Sequence, residues 1–200
     1  MNKQEIQSAL LSAAGYFNAQ SEGYKSWGHV NVLQAALRTN STGFLVTDEK
    51  KQLPDITVND IRSGSSADTL LQPIFANRKK VSAILITRQQ YASQLTEEVP
   101  AILDDQAQLL GVSIRIAANE NGIVKALSGR YAAILPNGNS VCIGHSLEDA
   151  YVAAQLLEKT AKTFIEAKHI GGAKAINKIE AWFMQQYYLF KYSKEAVKNK

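Results

Sequence analysis

Cys142 is the sequence's single cysteine, which excludes an intrachain disulfide and fits a reducing compartment. No run of about 18 apolar residues occurs, so no membrane-spanning helix is expected. A secretory signal is not expected either, because Glu5 follows Lys3 and Ser12 interrupts the apolar Ala9-Leu10-Leu11. These absences place the chain in the cytoplasm, away from membranes. There are three histidines, His29, His145 and His169. None forms an H-x-H or H-E-x-x-H pair, and a lone cysteine cannot make C-x-x-C, so no local zinc signature is present. The G-x-S-x-G elbow, the G-x-G-x-x-G fingerprint and the phosphate-binding P-loop are also missing. No stripe of Lys and Arg, zinc finger or RNP-type motif points to nucleic acid. The net charge of +4 is concentrated at one end: Lys191, Lys194, Lys198 and Lys200 against Glu195 give residues 191–200 a charge of +3, leaving +1 for the rest.

What is present suits one folded unit. The 200 residues are 46% hydrophobic and 20% charged, near globular averages and long enough for a sizeable core. A single domain is expected over 1–192, followed by a basic tail over 193–200. Ile6, Leu10, Ala13 and Phe17 give one apolar face to a helix over Lys3–Phe17, and Gln20–Gly28 reads as a loop. Val30–Leu37 fits helix or strand. Phe44–Thr47 is a short strand after a Thr39–Gly43 turn. A helix is expected over Leu70–Arg78 with Pro73 in its first turn, then a central buried strand over Ser82–Thr87. Gln89–Leu95, Ala101–Leu110 and Asn119–Leu127 read as helical, and Val112–Ile116 as a strand. Tyr131–Leu135 and Val141–Ile143 form a hairpin around Pro136-Asn137-Gly138-Asn139, since Asn-Gly favours positive φ. Ser146 and Asp149 make a capping box for a long helix with Leu147, Ala150, Ala154, Leu157, Ala161 and Phe164 inward. Gly171-Gly172 ends it. A last helix over Ala173–Tyr192 is expected to turn Ile176, Ile179, Phe183, Tyr187 and Phe190 inward. Helices and short strands in no strict alternation indicate a three-layer α/β/α fold: a mixed, largely antiparallel sheet flanked by helices.

Several residues could carry chemistry, and each has a structural reading beside it. Cys142, between Val141 and Ile143, reads as a packed thiol, although His145 lies three residues on. His169 near a helix end benefits from the helix dipole. Ser63-Gly64-Ser65-Ser66 could offer hydroxyls and N–H groups to an anion, or cap the helix that follows. The aromatic cluster Trp182, Phe183, Tyr187, Tyr188, Phe190 and Tyr192 is too wide for one buried stripe, so part of it faces outward or faces a partner.

The order of these segments resembles the class II aldolase/adducin-like family, whose fold is that of the L-fuculose-phosphate aldolases. Phe44-Leu45-Val46-Thr47 is similar to the family's F-L-I-T strand, and Leu53–Ile61 to its L-T-x-x-D-I/L segment. Ser65-Ser66 is similar to its S-S-E motif. Ala83–Arg88 falls at A-V-V-H-T-H, and Ala132–Asn139 at A-x-L-L-x-N-H-G. Gly144-His145-Ser146-Leu147-Glu148-Asp149-Ala150 is similar to its G-x-S/T-L-E-E-A entry into a long helix. In that family the histidines of H-T-H and N-H-G hold zinc, and the glutamate of S-S-E is the acid/base. The resemblance places those metal ligands at Ile86, Arg88 and Gly138 and that glutamate at Ala67, beside Asp68. An alkyl chain has no lone pair, a guanidinium repels a cation and glycine has no side chain, so the family zinc is not expected. The family's phosphate-binding G-N becomes Val30-Asn31, and its T-P-S/T-G turn becomes Thr47-Asp48-Glu49-Lys50.

Three functions follow from this resemblance. In the first, the chain keeps the fold without catalysis and acts in assembly or partner binding, as the adducin head does. The family precedent is a homo-oligomer, often a ring-shaped tetramer. In the second, the chain binds or converts a small anionic ligand without metal, using Asn31, Ser65, Ser66, Arg88 and His29, with Asp68 as candidate base. In the third, it is a zinc-dependent sugar-phosphate aldolase with displaced ligands among His29, His145, His169 and nearby carboxylates.

Overall fold

The computed structural model describes residues 2–23 and 29–198; of residues 18–23 and 192–198 it describes the backbone. Eight strands form one sheet: β1 (Val30–Arg38), β2 (Phe44–Thr47), β3 (Ile61–Ser63), β4 (Ala83–Gln89), β5 (Val99–Pro100), β6 (Ser113–Ile116), β7 (Ala132–Ile134) and β8 (Ser140–Gly144). Their order is β3-β2-β1-β4-β8-β7-β6-β5. β6 and β7 run parallel, and the other neighbours pair antiparallel. The mixed, largely antiparallel sheet expected from the sequence is therefore present.

Alternation along the central strands divides the core in two. Ala83, Leu85 and Cys142 face a layer built by α1 (Lys3–Gly23) and α5 (Leu147–Lys168), where Ile6, Leu10, Phe17, Ala154 and Leu157 are buried. Ile84, Val141 and Ile143 face the opposite layer, with Leu71, Ile74 and Phe75 of α2 (Leu71–Asn77) and Ile123 and Ala126 of α4 (Ile123–Ala126). This is the expected three-layer arrangement. The Phe17 and Tyr151 rings stack at 4.4 Å, and the Tyr151 hydroxyl donates to Phe17 O at 3.1 Å, fastening α1 to α5.

The α5 start is as expected: Ser146 Oγ accepts from Asp149 N at 3.0 Å. Its end is set by Gly171 and Gly172 at φ 109° and 97°, which L side chains rarely adopt. Pro73 sits in the first turn of α2, where helical N–H groups have no partner to lose. The 30–37 stretch is strand, β1, with a bulge between Val32 and Gln34.

Four expected elements are corrected. α1 continues to Gly23, past the expected loop start at Gln20, and residues 24–28 lie outside the described residues. Gln89–Leu95 is not an α-helix. Gln89 belongs to β4 opposite Val30, and one 3-10 turn, Ala92–Gln94, follows. Glu158 of α5 accepts from Tyr91 N and Ala92 N, drawing the chain down onto α5. The 101–110 helix shortens to α3 (Asp104–Leu109), because Val99–Pro100 pairs with β6.

The last helix, α6 (Lys178–Lys198), starts after Asn177, whose Oδ1 accepts from Ile179 N, and extends past the expected boundary at 192. Its inward face is also corrected. Ala181 and Gln185 are buried toward α3, and Gln185 donates to Gly129 O at 3.1 Å. Ile179, Phe183, Tyr187 and Phe190 are 67%, 61%, 71% and 57% exposed. The helix packs through its small and amide side chains and turns its aromatics outward, because α3 presents the small Ala107 to it.

Candidate functional site

The antiparallel pairing of β1 with β4 gives the sheet two functional ends. At one end Asn31 lies opposite Arg88 and Val30 opposite Gln89; at the other, Leu37 lies opposite Ala83. Arg38 pairs with Phe44 at that second end. The span from Asn31 to Arg38 is roughly 23 Å at about 3.3 Å per residue.

Ile86, Arg88 and Gly138 converge at the first end. Ile86 and Arg88 alternate onto the same face of β4, which is the α2/α4 face since Ile84 packs there. Arg88 Nη1 donates to Asn137 O at 3.2 Å and to Asn139 Oδ1 at 3.1 Å, so its guanidinium grips the turn that holds Gly138. That turn is closed by Gly138 N on Leu135 O at 2.9 Å and Leu135 N on Asn139 O at 2.7 Å. Gly138 has φ 81° and no other residue of the turn has positive φ, so the hairpin uses a type I turn with a bulged glycine. A Cβ at Gly138 would lie 3.2 Å from Ser93 O, in the segment that Glu158 holds.

The chemistry of this donor set does not fit a divalent metal. Ile86 is aliphatic, Arg88 is a cation and Gly138 offers backbone alone. Among the described residues no three His, Cys, Asp or Glu side chains come together as a metal group. The histidines are dispersed. His29 precedes β1 at the Arg88 end. His145 follows Gly144 at the other end, where its Nδ1 lies 2.8 Å from Lys80 O. His169 caps the end of α5.

Ser65, Ser66, Ala67 and Asp68 are not at the Arg88 end. Gly64 N donates to Phe44 O at 2.8 Å, which anchors this segment beside the Arg38 end of β1. Ser65 and Ser66 are therefore separated from Asn31 and Arg88, and the four do not form one pocket. The reason is the direction of β3, which runs from Ile61 opposite Thr47 to Ser63 opposite Leu45 and so delivers the serines to the Arg38 end. Nor do the serines cap α2, which begins at Leu71 after Leu70. Ser65 Oγ instead accepts from Ala67 N within its own turn. Asp68 accepts from Arg62 Nη1 and Nη2 at 2.9 and 2.6 Å and from Ser65 N at 2.7 Å. The Arg62 guanidinium lowers its pKa, so Asp68 serves as a clasp for this turn and is a weak base.

Two groups complete the surroundings. Cys142 is fully buried on the α5 face, and burial pushes its thiol up to about 12, so it is a packing residue and not a nucleophile. Glu158 is also buried, and burial raises its carboxyl while the N–H groups of Ala92, Tyr91 and Gln90 work the other way. Sequence reading passed over Glu158. The available signal was a carboxylate four residues after Ala154, beside the inward stripe of α5, a position where a buried charge requires partners.

No helix of the described residues is long and apolar enough to cross a membrane. With the geometry established, comparison with known proteins places it. The family model for the class II aldolase and adducin N-terminal domain matches residues 65–165. Among solved structures, an L-fuculose 1-phosphate aldolase superposes with a TM-score of 0.79 at 19% identity, covering 94% of this chain and 98% of that one. An l-fuculose-1-phosphate aldolase from Thermus thermophilus gives 0.67 at 17%, covering 86% and 100%. An aldolase II superfamily protein from Pseudomonas syringae gives 0.66 at 14%, covering 94% and 86%. No curated protein matches by sequence.

Proposed function

The chain belongs to the class II aldolase and adducin N-terminal domain family, and from that premise we propose that it works without the family's zinc, as a non-catalytic domain acting in assembly or partner binding. The observation that carries this reading is the convergence of Ile86, Arg88 and Gly138 at one end of the sheet with no metal-ligating side chain among them. Retro-aldol cleavage leaves an enediolate whose charge a bound zinc stabilises by several kcal/mol. Arg88 would repel the cation that this chemistry needs.

The outward face of α6 supports the assembly role. Ile179, Phe183, Tyr187 and Phe190 are all more than half exposed, and such an apolar stripe marks an interaction surface. The proposed partner is a second copy of the chain, giving a homo-oligomer. The single, buried Cys142 is compatible with a cytoplasmic protein.

Metal analysis and sedimentation of the purified full chain test the proposal. It requires zinc well below one per chain, no cleavage of L-fuculose 1-phosphate, and an oligomer that Phe183→Asp with Tyr187→Asp disperses. Stoichiometric zinc with aldolase turnover would overturn it.

A further inference from the structure

At the Arg88 end of the sheet one guanidinium differs from the others in its contacts. Six arginines are described, and five are committed within the fold. Arg38 and Arg78 donate to backbone carbonyls, Arg62 is bidentate on Asp68, and Arg115 and Arg130 face Glu98. Arg88 differs. It is exposed and fixed through Nη1 to Asn137 and Asn139, while its Nε and Nη2 meet no acceptor among the described residues. Its cross-strand partner Asn31 is exposed, and its amide makes no hydrogen bond to a described residue. Cβ atoms of such a pair lie about 4.5–5.5 Å apart, so the two side chains start from adjacent positions on one face of the sheet.

We infer that Arg88 and Asn31 form a binding site for a small organic monocarboxylate. The Nε–Nη2 edge presents two parallel donors that match a planar carboxylate, and Asn31 supplies a third. Nη1 holds the fork in place, so little side-chain entropy is lost on binding. One guanidinium balances one negative charge, which a monocarboxylate supplies and a phosphate monoester exceeds. The inference rests on the metal-free reading of the same positions.

Titration of the ¹⁵N-labelled full chain with acetate, and separately with inorganic phosphate at matched ionic strength, tests it. Acetate is expected to give saturable shifts at Asn31, Arg88 and Asn139 with a Kd on the order of 1–10 mM, and phosphate is expected to bind more weakly. Arg88→Gln should weaken acetate at least about tenfold. Arg88→Lys, which keeps the charge and loses the fork, should weaken it about fivefold; retained slow exchange of the Leu135 and Gly138 amides, which close the turn, would show that the hairpin is intact. Absence of saturable shifts, unchanged binding in both variants, or tighter phosphate binding would each overturn the site. Zinc measured on the same sample separates the two readings. A zinc-bound protein fails the proposed function, whereas a zinc-free protein that ignores acetate fails this inference alone.

Discussion

Replacing Glu158 should loosen the wall beside the Arg88 site. Its carboxylate oxygens lie 2.9 and 3.1 Å from Tyr91 N, and one lies 2.9 Å from Ala92 N. These N–H groups belong to the segment that puts Ser93 against Gly138. In Glu158→Ala two backbone donors at a largely buried position lose their acceptor, at about 1–3 kcal/mol each. A cavity adds to that, while release of a buried charge works in the opposite direction. The net loss is about 3 kcal/mol, or about 6–12 °C in Tm for a chain of this length.

Glu158→Gln separates these contributions. It removes the desolvation cost and keeps one carbonyl acceptor, but its NH₂ group now faces a backbone N–H. It should cost about 1–2 kcal/mol, less than alanine. Thermal unfolding gives the ranking, and amide exchange gives the location, with faster exchange at Tyr91 and Ala92 and little change in β1. A Glu158→Ala shift under about 2 °C, or unchanged exchange at those amides, would refute the reasoning.

Other expectations follow from single contacts. Gly64→Ala would drive a methyl into the buried Phe44 ring and should cost about 1–3 kcal/mol by denaturant titration. Lowering the pH should loosen the 48–68 segment first. Asp60 is held down to about 2 by Thr57 and Lys51, and Asp68 is lowered by Arg62. Because both folded values are depressed, their stabilisation is complete above the ordinary value of 3.8 and is lost as pH falls toward about 2; amide exchange across that window reads it. A double-mutant cycle of Arg88→Gln with Asn139→Ala should give a coupling of about 0.5–1 kcal/mol in thermal unfolding.

The layers were legible because periodicity reports burial on a sheet or helix face. Ser82–Thr87 is apolar on both faces, as a strand buried between two layers must be, and the Leu147–Phe164 stripe marks a single buried helix face. α6 misled for the same reason: its apolar residues are spaced as a core stripe would be, yet its seat on the fold is the Ala181–Gln185 side. Hydrophobic spacing identifies a face that avoids water without saying whether the chain itself or another surface covers it. The site was legible in part. Motif order groups positions 86, 88 and 138, and the structure places them at one end of the sheet because β4 pairs with β8 beside the hairpin turn. Motif order alone groups Ser65 and Ser66 with the same pocket, but β3 runs away from it, toward the Arg38 end. Loop paths depend on which way the preceding strand runs, and a local motif contains no information about that.

Arg88 and Gly138 belong to one interlocked turn. Gly138 stands at φ 81°, where a β-carbon costs about 1 kcal/mol or more. It would also press on Ser93 O at 3.2 Å. A histidine at this position would therefore be strained in the present turn before any metal approached. Arg88 in turn reaches across to the carbonyl of Asn137, the residue that precedes the glycine. The turn that accepts this guanidinium is the one that needs glycine, and the position that would repel a cation is the one that holds the turn. The two residues support each other structurally, so Arg88→His or Gly138→His alone is expected to disturb the hairpin.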